Sequence, residues 1–126
     1  MATRVLIVDD APFMRQNLKE IFVAQGFEVA GEASNGVEAV EKYKDLKPDL
    51  ITMDIVMPYK NGIQATRDIL ALDSGALIII CSALGHESLV TEAIEAGATD
   101  FIVKPFRPEN VLQVVKKSLL ARRQPG

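Results

Sequence analysis

Short runs of branched apolar residues alternate with segments of helical spacing along the whole chain. The five runs read VLIV, FEVAGE, LITM, ALIII and FIV. An apolar run of this kind is typical of a buried strand, and apolar residues three and four positions apart are typical of an amphipathic helix. Strands that alternate with helices pair in parallel through right-handed crossovers, so that helices cover both faces of one sheet. The sequence therefore predicts an α/β fold with a single five-stranded, parallel, doubly wound sheet and five helices.

Proline, glycine and asparagine mark the ends of the predicted helices. Proline favours the first helical position, whereas glycine or a residue before proline commonly ends a helix. We expect the first helix to run from Pro12 to Gly26, the second from the Ser34-Asn35-Gly36 turn to Lys47, and the fourth from about His86 to Gly97. The third helix should begin after Asn61-Gly62 and the fifth at Pro108.

Length and composition indicate one globular domain. The chain has 126 residues, 48% hydrophobic and 25% charged, with a net charge of −3. This size suits a single domain, 1–126, with an ordered core at about 3–121. No apolar run approaches the ~18 residues of a membrane span, so we expect no membrane insertion. Lysines and arginines are scattered rather than gathered in a stripe, which argues against nucleic-acid binding.

The single cysteine, Cys81, lies within the apolar run LIIICS and indicates a small buried thiol. One cysteine cannot form a disulfide within the chain, and the first residues lack the long apolar core of a signal peptide. These features fit a cytoplasmic, reducing location. We also expect a monomer.

Polar residues stand where four of the predicted strands end. They are Asp9 and Asp10, Asp54, Ser82 and Lys104. In doubly wound sheets, ligands bind beyond the carboxyl ends of the strands, near the point where the strand order reverses. Three carboxylates suit a hard cation, and a lysine beside them can meet an anion. Mg²⁺ is the natural candidate, because it takes a few carboxylates together with water and phosphate oxygens.

Each of these residues, taken alone, has a simpler interpretation. Asp10 could cap the first helix, Asp54 could be a loop residue, Ser82 a turn residue and Lys104 a solvated charge. Their coincidence at four strand ends favours a functional site over four separate explanations.

Four segments together resemble the receiver domain of two-component response regulators, and in particular the single-domain chemotaxis regulators. The segments are VLIVDDAPFMR, DLITMDIVMPYKNG, IIICSA and DFIVKPF. They occur in family order and the resemblance covers nearly the whole chain. The resemblance implies the flavodoxin-like strand order 2-1-3-4-5, since regulators of this type are a known example of that order. The residue pattern alone does not specify which strands are neighbours.

The resemblance implies a phosphoacceptor and a metal site. Asp54 would accept a phosphoryl group from a phosphohistidine of a CheA-like histidine kinase. Asp10, Asp54 and the backbone carbonyl of Val56 would ligate Mg²⁺, and Asp9 would act directly or through water. Phosphoryl transfer needs in-line positioning and neutralisation of charge on the transferred oxygens, which a metal and one ammonium can supply.

Further roles are implied for residues on the fourth and fifth strands. Lys104 would pair with the phosphoryl group, and the Lys104-Pro105 peptide would be cis. Ser82 would hydrogen-bond to the phosphoryl group and act as a switch with Phe101, whose ring would follow into the vacated space. For Phe101, plain core packing is the alternative, because phenylalanine is so often buried.

The resemblance implies a signalling switch that assists its own phosphorylation, and not an enzyme in the usual sense. Its output would be chemotaxis control through a flagellar motor switch protein, or another output protein; a sporulation-type phosphorelay intermediate and an orphan receiver are the alternatives. Val56 and Leu84 are apolar where a polar side chain could orient the hydrolytic water. We therefore expect slow dephosphorylation and a possible separate phosphatase.

Two other classes of protein fit the sequence less well. A Mg²⁺-dependent phosphatase of the haloacid dehalogenase type needs a D-x-D-x-[TV] signature after its first strand, which DDAPF does not match. A flavodoxin needs a Ser/Thr/Gly-rich phosphate loop at that position, where Asp9 and Asp10 would repel the phosphate of FMN.

Overall fold

Five strands and five helices alternate along the chain in the computed structural model, which describes residues 2–123. In chain order they are β1 Arg4–Val8, α1 Pro12–Ala24, β2 Glu28–Ala33, α2 Gly36–Leu46, β3 Leu50–Asp54, α3 Gly62–Leu72, β4 Ile78–Ala83, α4 Glu87–Glu95, β5 Asp100–Lys104 and α5 Pro108–Arg123. The predicted number, type and order of elements are confirmed.

All strands are parallel, and they lie in the order β2-β1-β3-β4-β5. This confirms the predicted doubly wound, flavodoxin-like sheet. From β1 the chain moves first to β2 on one side and then to β3 on the other. The strand order therefore reverses between β1 and β3, and their carboxyl ends flank the crevice in which such sheets bind ligands.

Helices cover both faces of the sheet because successive side chains of a strand point to opposite faces. Val5 and Ile7 of β1 pack with α1 and α5, in a core that includes Phe22 and Val115. Leu6 and its neighbours on the other face pack with α2, α3 and α4. The central strands are buried on both faces, as their continuous apolar runs require.

The helix ends differ from the predictions by a few residues. The residue before α1 is Ala11, whose side chain offers no cap, so the interpretation of Asp10 as a helix cap is wrong. Helix α1 ends two residues before Gly26, and α4 is shorter than predicted at both ends. Helix α5 continues to Arg123, beyond the expected limit of 121, and residues 124–126 lie outside the described part of the chain.

Asparagine side chains begin two of the helices. Asn35 accepts a hydrogen bond from the backbone N–H of Glu38, and Asn61 forms a reciprocal capping box with Gln64. These caps anchor the loops that follow β2 and β3, next to the crevice. Within residues 2–123 no helix is both long and apolar enough to cross a membrane.

Candidate functional site

The alternation of side chains along the strands brings three charged groups together at one end of the sheet. Asp9 directly follows β1, Asp54 is the last residue of β3 and Lys104 is the last of β5. Each continues the row of side chains that faces α1 and α5, two positions beyond an inward-pointing residue of its strand. The Lys104 Nζ lies 2.9 Å from Asp9 Oδ2 and 3.4 Å from Asp54 Oδ1.

The three predicted carboxylate ligands of the metal also meet at this edge. One carboxylate oxygen from each of Asp9, Asp10 and Asp54 lies within 4.8 Å of the others. Asp9 and Asp54 are 1% and 9% exposed, whereas Asp10 is exposed at the mouth of the crevice. Three negative charges face one ammonium group, and all the ligand atoms are hard oxygens. This donor set fits a divalent cation such as Mg²⁺.

The electrostatics of the site follow from burial and crowding of like charges. The pKa of Asp54 is raised to about 6, first by burial and then by the neighbouring Asp9 charge, while Lys104 opposes both effects. Burial alone would lower the pKa of Lys104, but its hydrogen bond to Asp9 and the charge of Asp54 outweigh that effect and raise it. The metal-free cluster therefore holds more negative charge than its single cation offsets.

Backbone N–H groups hold the two buried carboxylates in place. Asp9 Oδ1 accepts a hydrogen bond of 2.9 Å from the N–H of Ala11, and Asp54 Oδ1 accepts one of 2.9 Å from the N–H of Ile55. The second oxygen of Asp9 is taken by Lys104. Asp54 Oδ2 has no hydrogen-bond partner among residues 2–123, so it is the oxygen of Asp54 that remains available for chemistry.

The predicted switch residues lie on the opposite face of the sheet from this cluster. Ser82 is buried, and its Oγ donates to the carbonyl of the next residue, Ala83, at 3.2 Å rather than to Asp54. Ala83, and not Ser82, is the last residue of β4. Phe101 is 41% exposed, so its interpretation as a core residue is wrong. Edge strand β5 leaves one face open, and the Phe101 ring occupies that face.

An apolar groove separates Phe101 from helix α4. Its volume is about 400 Å³, and its lining includes Leu84, Val90, Ile94, Phe101 and Val103. Ser82 also reaches this groove from β4. The serine near the end of β4 and the aromatic ring on the edge strand therefore line one groove.

Val56 and Leu84 stand in the loops after β3 and β4 and are strongly exposed, at 57% and 74%. Both residues therefore follow the carboxyl ends of central strands, and Leu84 also lines the groove beside α4. The ligand role of the Val56 carbonyl stays a prediction. The Lys104-Pro105 peptide is cis, as predicted.

The sequence did not reveal one polar contact of the site. Arg15 lies in the first turns of α1, and its Nη1 donates to the backbone carbonyl of Asp9 at 2.6 Å. Its Nε donates to Glu32 Oε1 of β2 at 3.1 Å. An arginine on an amphipathic helix normally indicates a solvated face. The only signal in the sequence was its place in the segment that begins with the two aspartates.

Comparison with known proteins supports the class of protein that the sequence resembles, the response regulator receiver domains. The chain belongs to the response regulator receiver domain family, whose model matches residues 5–116. It is 61% identical over 117 residues to the chemotaxis protein CheY of Thermotoga maritima, covering 93% of this chain and 98% of that protein. It is 57% identical over 119 residues to the chemotaxis protein CheY of Bacillus subtilis, covering 94% and 99%. The chain is thus a signalling receiver that closely matches the CheY regulators.

A solved structure agrees with this assignment. The CheX–CheY–BeF₃–Mg²⁺ complex from Borrelia burgdorferi contains a chain that matches with a TM-score of 0.89 and 42% identity, covering 93% of this chain and 89% of that one. That complex contains magnesium and beryllofluoride. The phosphatase and flavodoxin interpretations therefore lose their remaining support.

Proposed function

We propose that this chain is the phosphoacceptor switch of a chemotaxis two-component system. Asp54 takes a phosphoryl group from a phosphohistidine of a CheA-like histidine kinase, and the phosphorylated form binds a flagellar motor switch protein or another output protein. The observation that carries the proposal is the placement of Asp54, buried beside Lys104 and two further carboxylates at the crevice of the sheet. The match to CheY regulators supports chemotaxis as the pathway.

Asp54 acts as the nucleophile through Oδ2, because Oδ1 already accepts the N–H of Ile55 and faces Lys104. As the bond from this oxygen to phosphorus forms, the bond from phosphorus to the donor histidine nitrogen breaks. The Lys104 ammonium stabilises the negative charge on the transferred oxygens. The product is an acyl phosphate, whose lability suits a transient signal.

Asp9, Asp10 and Asp54, with the backbone carbonyl of Val56, would hold Mg²⁺. When bound, the ion supplies charge neutralisation for the phosphoryl oxygens. This role agrees with the excess of negative charge in the cluster and with the raised pKa of Asp54. The chain in this way assists its own phosphorylation.

The switch couples the new phosphoryl group to the groove beside α4. The Ser82 hydroxyl exchanges its bond to the Ala83 carbonyl for a phosphoryl oxygen, which shifts the end of β4. The exposed Phe101 ring then moves into the groove, which its side chain already lines. The output surface is accordingly the face formed by α4, β5 and α5.

Val56 and Leu84 keep the signal long-lived, because neither side chain can orient the hydrolytic water or take its proton. A separate phosphatase then ends the signal. The Borrelia structure pairs a CheY with CheX, and we propose a partner of that class here. The chain acts as a monomeric receiver, 1–126, in the cytoplasm, where the buried thiol of Cys81 stays reduced.

Phosphotransfer profiling tests the proposal. The purified chain is mixed with each histidine kinase of its host, labelled on its phosphohistidine, and transfer is compared at short times. The proposal expects transfer from the chemotaxis kinase to be the fastest, and no transfer to Asp54→Asn. Preferential transfer from a sporulation kinase would support the phosphorelay alternative, which the match to CheY regulators does not favour.

A further inference from the structure

Arg15 links helix α1 to strand β2 and to Asp9, the first residue after strand β1. Its guanidinium donates through Nη1 to the Asp9 carbonyl and through Nε to the Glu32 carboxylate. The Arg15 side chain is only 19% exposed, which strengthens both bonds relative to a solvated pair. Glu32 is itself held by α2, because Lys42 donates to its backbone carbonyl. The Arg15 guanidinium is thus held between the Asp9 carbonyl and the Glu32 carboxylate.

The Asp9 carbonyl belongs to the peptide unit that joins Asp9 to Asp10. Because a peptide unit is planar, fixing its oxygen also fixes the direction in which the chain leaves toward the Cα of Asp10. Other bonds hold Asp9 itself: its N–H donates to the Ala33 carbonyl, and its carboxylate binds Ala11 and Lys104. Asp10 has no such support, since within residues 2–123 its carboxylate forms no hydrogen bond or ion pair.

We propose that Arg15 is a positioning residue that orients Asp10 toward the metal by holding the Asp9–Asp10 peptide unit. The inference rests on the proposed function, in which Asp9, Asp10 and Asp54 hold Mg²⁺. Asp10 is the exposed member of the three, so its direction depends most on the backbone that carries it. Residues that orient metal ligands without touching the ion typically change metal affinity by about tenfold or more when removed.

The sign of the effect separates positioning from simple electrostatics. Arg15 is a cation close to a cation-binding site, so its charge opposes the binding of Mg²⁺. If charge were its only contribution, removing Arg15 would tighten Mg²⁺ binding. If Arg15 orients Asp10, removing it weakens binding despite the loss of that repulsion.

Arg4 offers a matched control at the opposite end of the sheet. It uses the same two atoms in the same way: Nε donates to Glu28 of β2 at 3.0 Å, and Nη1 donates to the backbone carbonyl of Leu46 at 2.7 Å. Loss of Arg4 removes these two bonds and a longer one from Nη1 to the Lys47 carbonyl at 3.3 Å, all far from the acidic cluster. General destabilisation therefore affects Arg4→Ala and Arg15→Ala alike.

The experiment measures the dissociation constant of Mg²⁺ by calorimetry for the wild type, Arg15→Ala, Arg15→Lys and Arg4→Ala. We expect about tenfold weaker binding for Arg15→Ala, an intermediate value for Arg15→Lys, which retains the charge but not the forked donors, and an unchanged value for Arg4→Ala. With acetyl phosphate as donor, Arg15→Ala should need a higher Mg²⁺ concentration to reach half of its maximal phosphorylation rate. At saturating Mg²⁺ its rate should equal that of the wild type.

Tighter or unchanged Mg²⁺ binding by Arg15→Ala would overturn the inference, as would equal weakening by Arg4→Ala. If Arg15→Ala does not fold, the dissociation constant of Arg15→Lys decides: a wild-type value contradicts positioning. These outcomes concern Arg15 alone. Failure of the wild type to bind Mg²⁺ would contradict the proposed function itself.

Discussion

Asp54 is a carboxylate that the fold buries among like charges. It is 9% exposed, its neighbours Asp9 and Asp10 are anionic, and Lys104 balances only part of the charge. The pKa of Asp54, raised to about 6, expresses a free-energy cost of keeping it ionised in the folded, metal-free protein. In the proposed function, this cost in stability accompanies a nucleophile surrounded by groups that can stabilise a phosphoryl group.

Asp54→Asn should stabilise the metal-free protein at neutral pH. The folded-state pKa of Asp54 lies above its unfolded value, so ionisation costs stability as the pH rises from about 4 to about 6, and the cost is complete above that range. We expect the free energy of unfolding in chelator to rise by about 1–3 kcal/mol at pH 7 and by much less near pH 4.

Urea unfolding at the two pH values measures this gain. Asp45→Asn, which removes an exposed carboxylate of α2, serves as the control and should change little. A gain that is equal at both pH values would show that the burial of the Asp54 charge is not its cause.

In the proposed function, Val56 and Leu84 set the lifetime of the acyl phosphate. The double variant Val56→Asn/Leu84→Glu places polar groups in the loops after β3 and β4, where they can hold the attacking water in line. We expect decay of the phosphoprotein to quicken by about tenfold or more, which corresponds to ~1.4 kcal/mol off the barrier. The decay is followed in Mg²⁺ after the donor has been removed.

The matched control is Val23→Asn/Leu72→Glu. These exposed residues stand near the carboxyl ends of α1 and α3, away from the crevice. Their replacement should leave the decay rate unchanged. Equal rates in the wild type and Val56→Asn/Leu84→Glu would show that the lifetime depends on other groups.

At the scale of elements, β4 and β5 connect the acidic crevice to the groove beside α4. Ser82 is paired with Val103 across the two strands, and Phe101 lies two residues before Val103 on the same face. In the proposed switch, a shift of Ser82 is therefore passed to the exposed edge strand. The groove gives the Phe101 ring a space to enter without displacing the buried core.

Amide exchange with and without beryllofluoride tests this coupling. We expect protection to change in α4 and β5 when Mg²⁺ and beryllofluoride are added, because the groove closes over Phe101. The change should vanish in Asp54→Asn, which lacks the oxygen that binds beryllofluoride. Changes confined to α2 and α3 would contradict the proposed output surface.

At the scale of the whole molecule, the alternating pattern was sufficient to predict ten elements and one edge where polar residues gather. The strand order came from the resemblance, since periodicity does not reveal which strands are neighbours. Helix limits were less certain: nothing in the residues around Asp10 shows that Ala11 occupies the capping position.

Two features of the site that the sequence did not indicate, the exposure of Phe101 and the Arg15 contact, depend on tertiary placement. Phe101 belongs to an apolar run, and its exposure follows from the position of β5 at the edge of the sheet and from the groove between β5 and α4. The Arg15 contact is made to a backbone carbonyl, and every residue has one. The residue types therefore could not show that Arg15 would bind the carbonyl of Asp9.

Phosphorylation of the purified chain by acetyl phosphate tests the central claim most directly. In Mg²⁺ we predict a mass increase of one phosphoryl group, located at Asp54, with the same gain in Asp45→Asn, none in Asp54→Asn and a strongly reduced rate in excess chelator. Undiminished labelling of Asp54→Asn, or labelling of the wild type at full rate in chelator, would contradict the assignment of Asp54 as a metal-assisted phosphoacceptor.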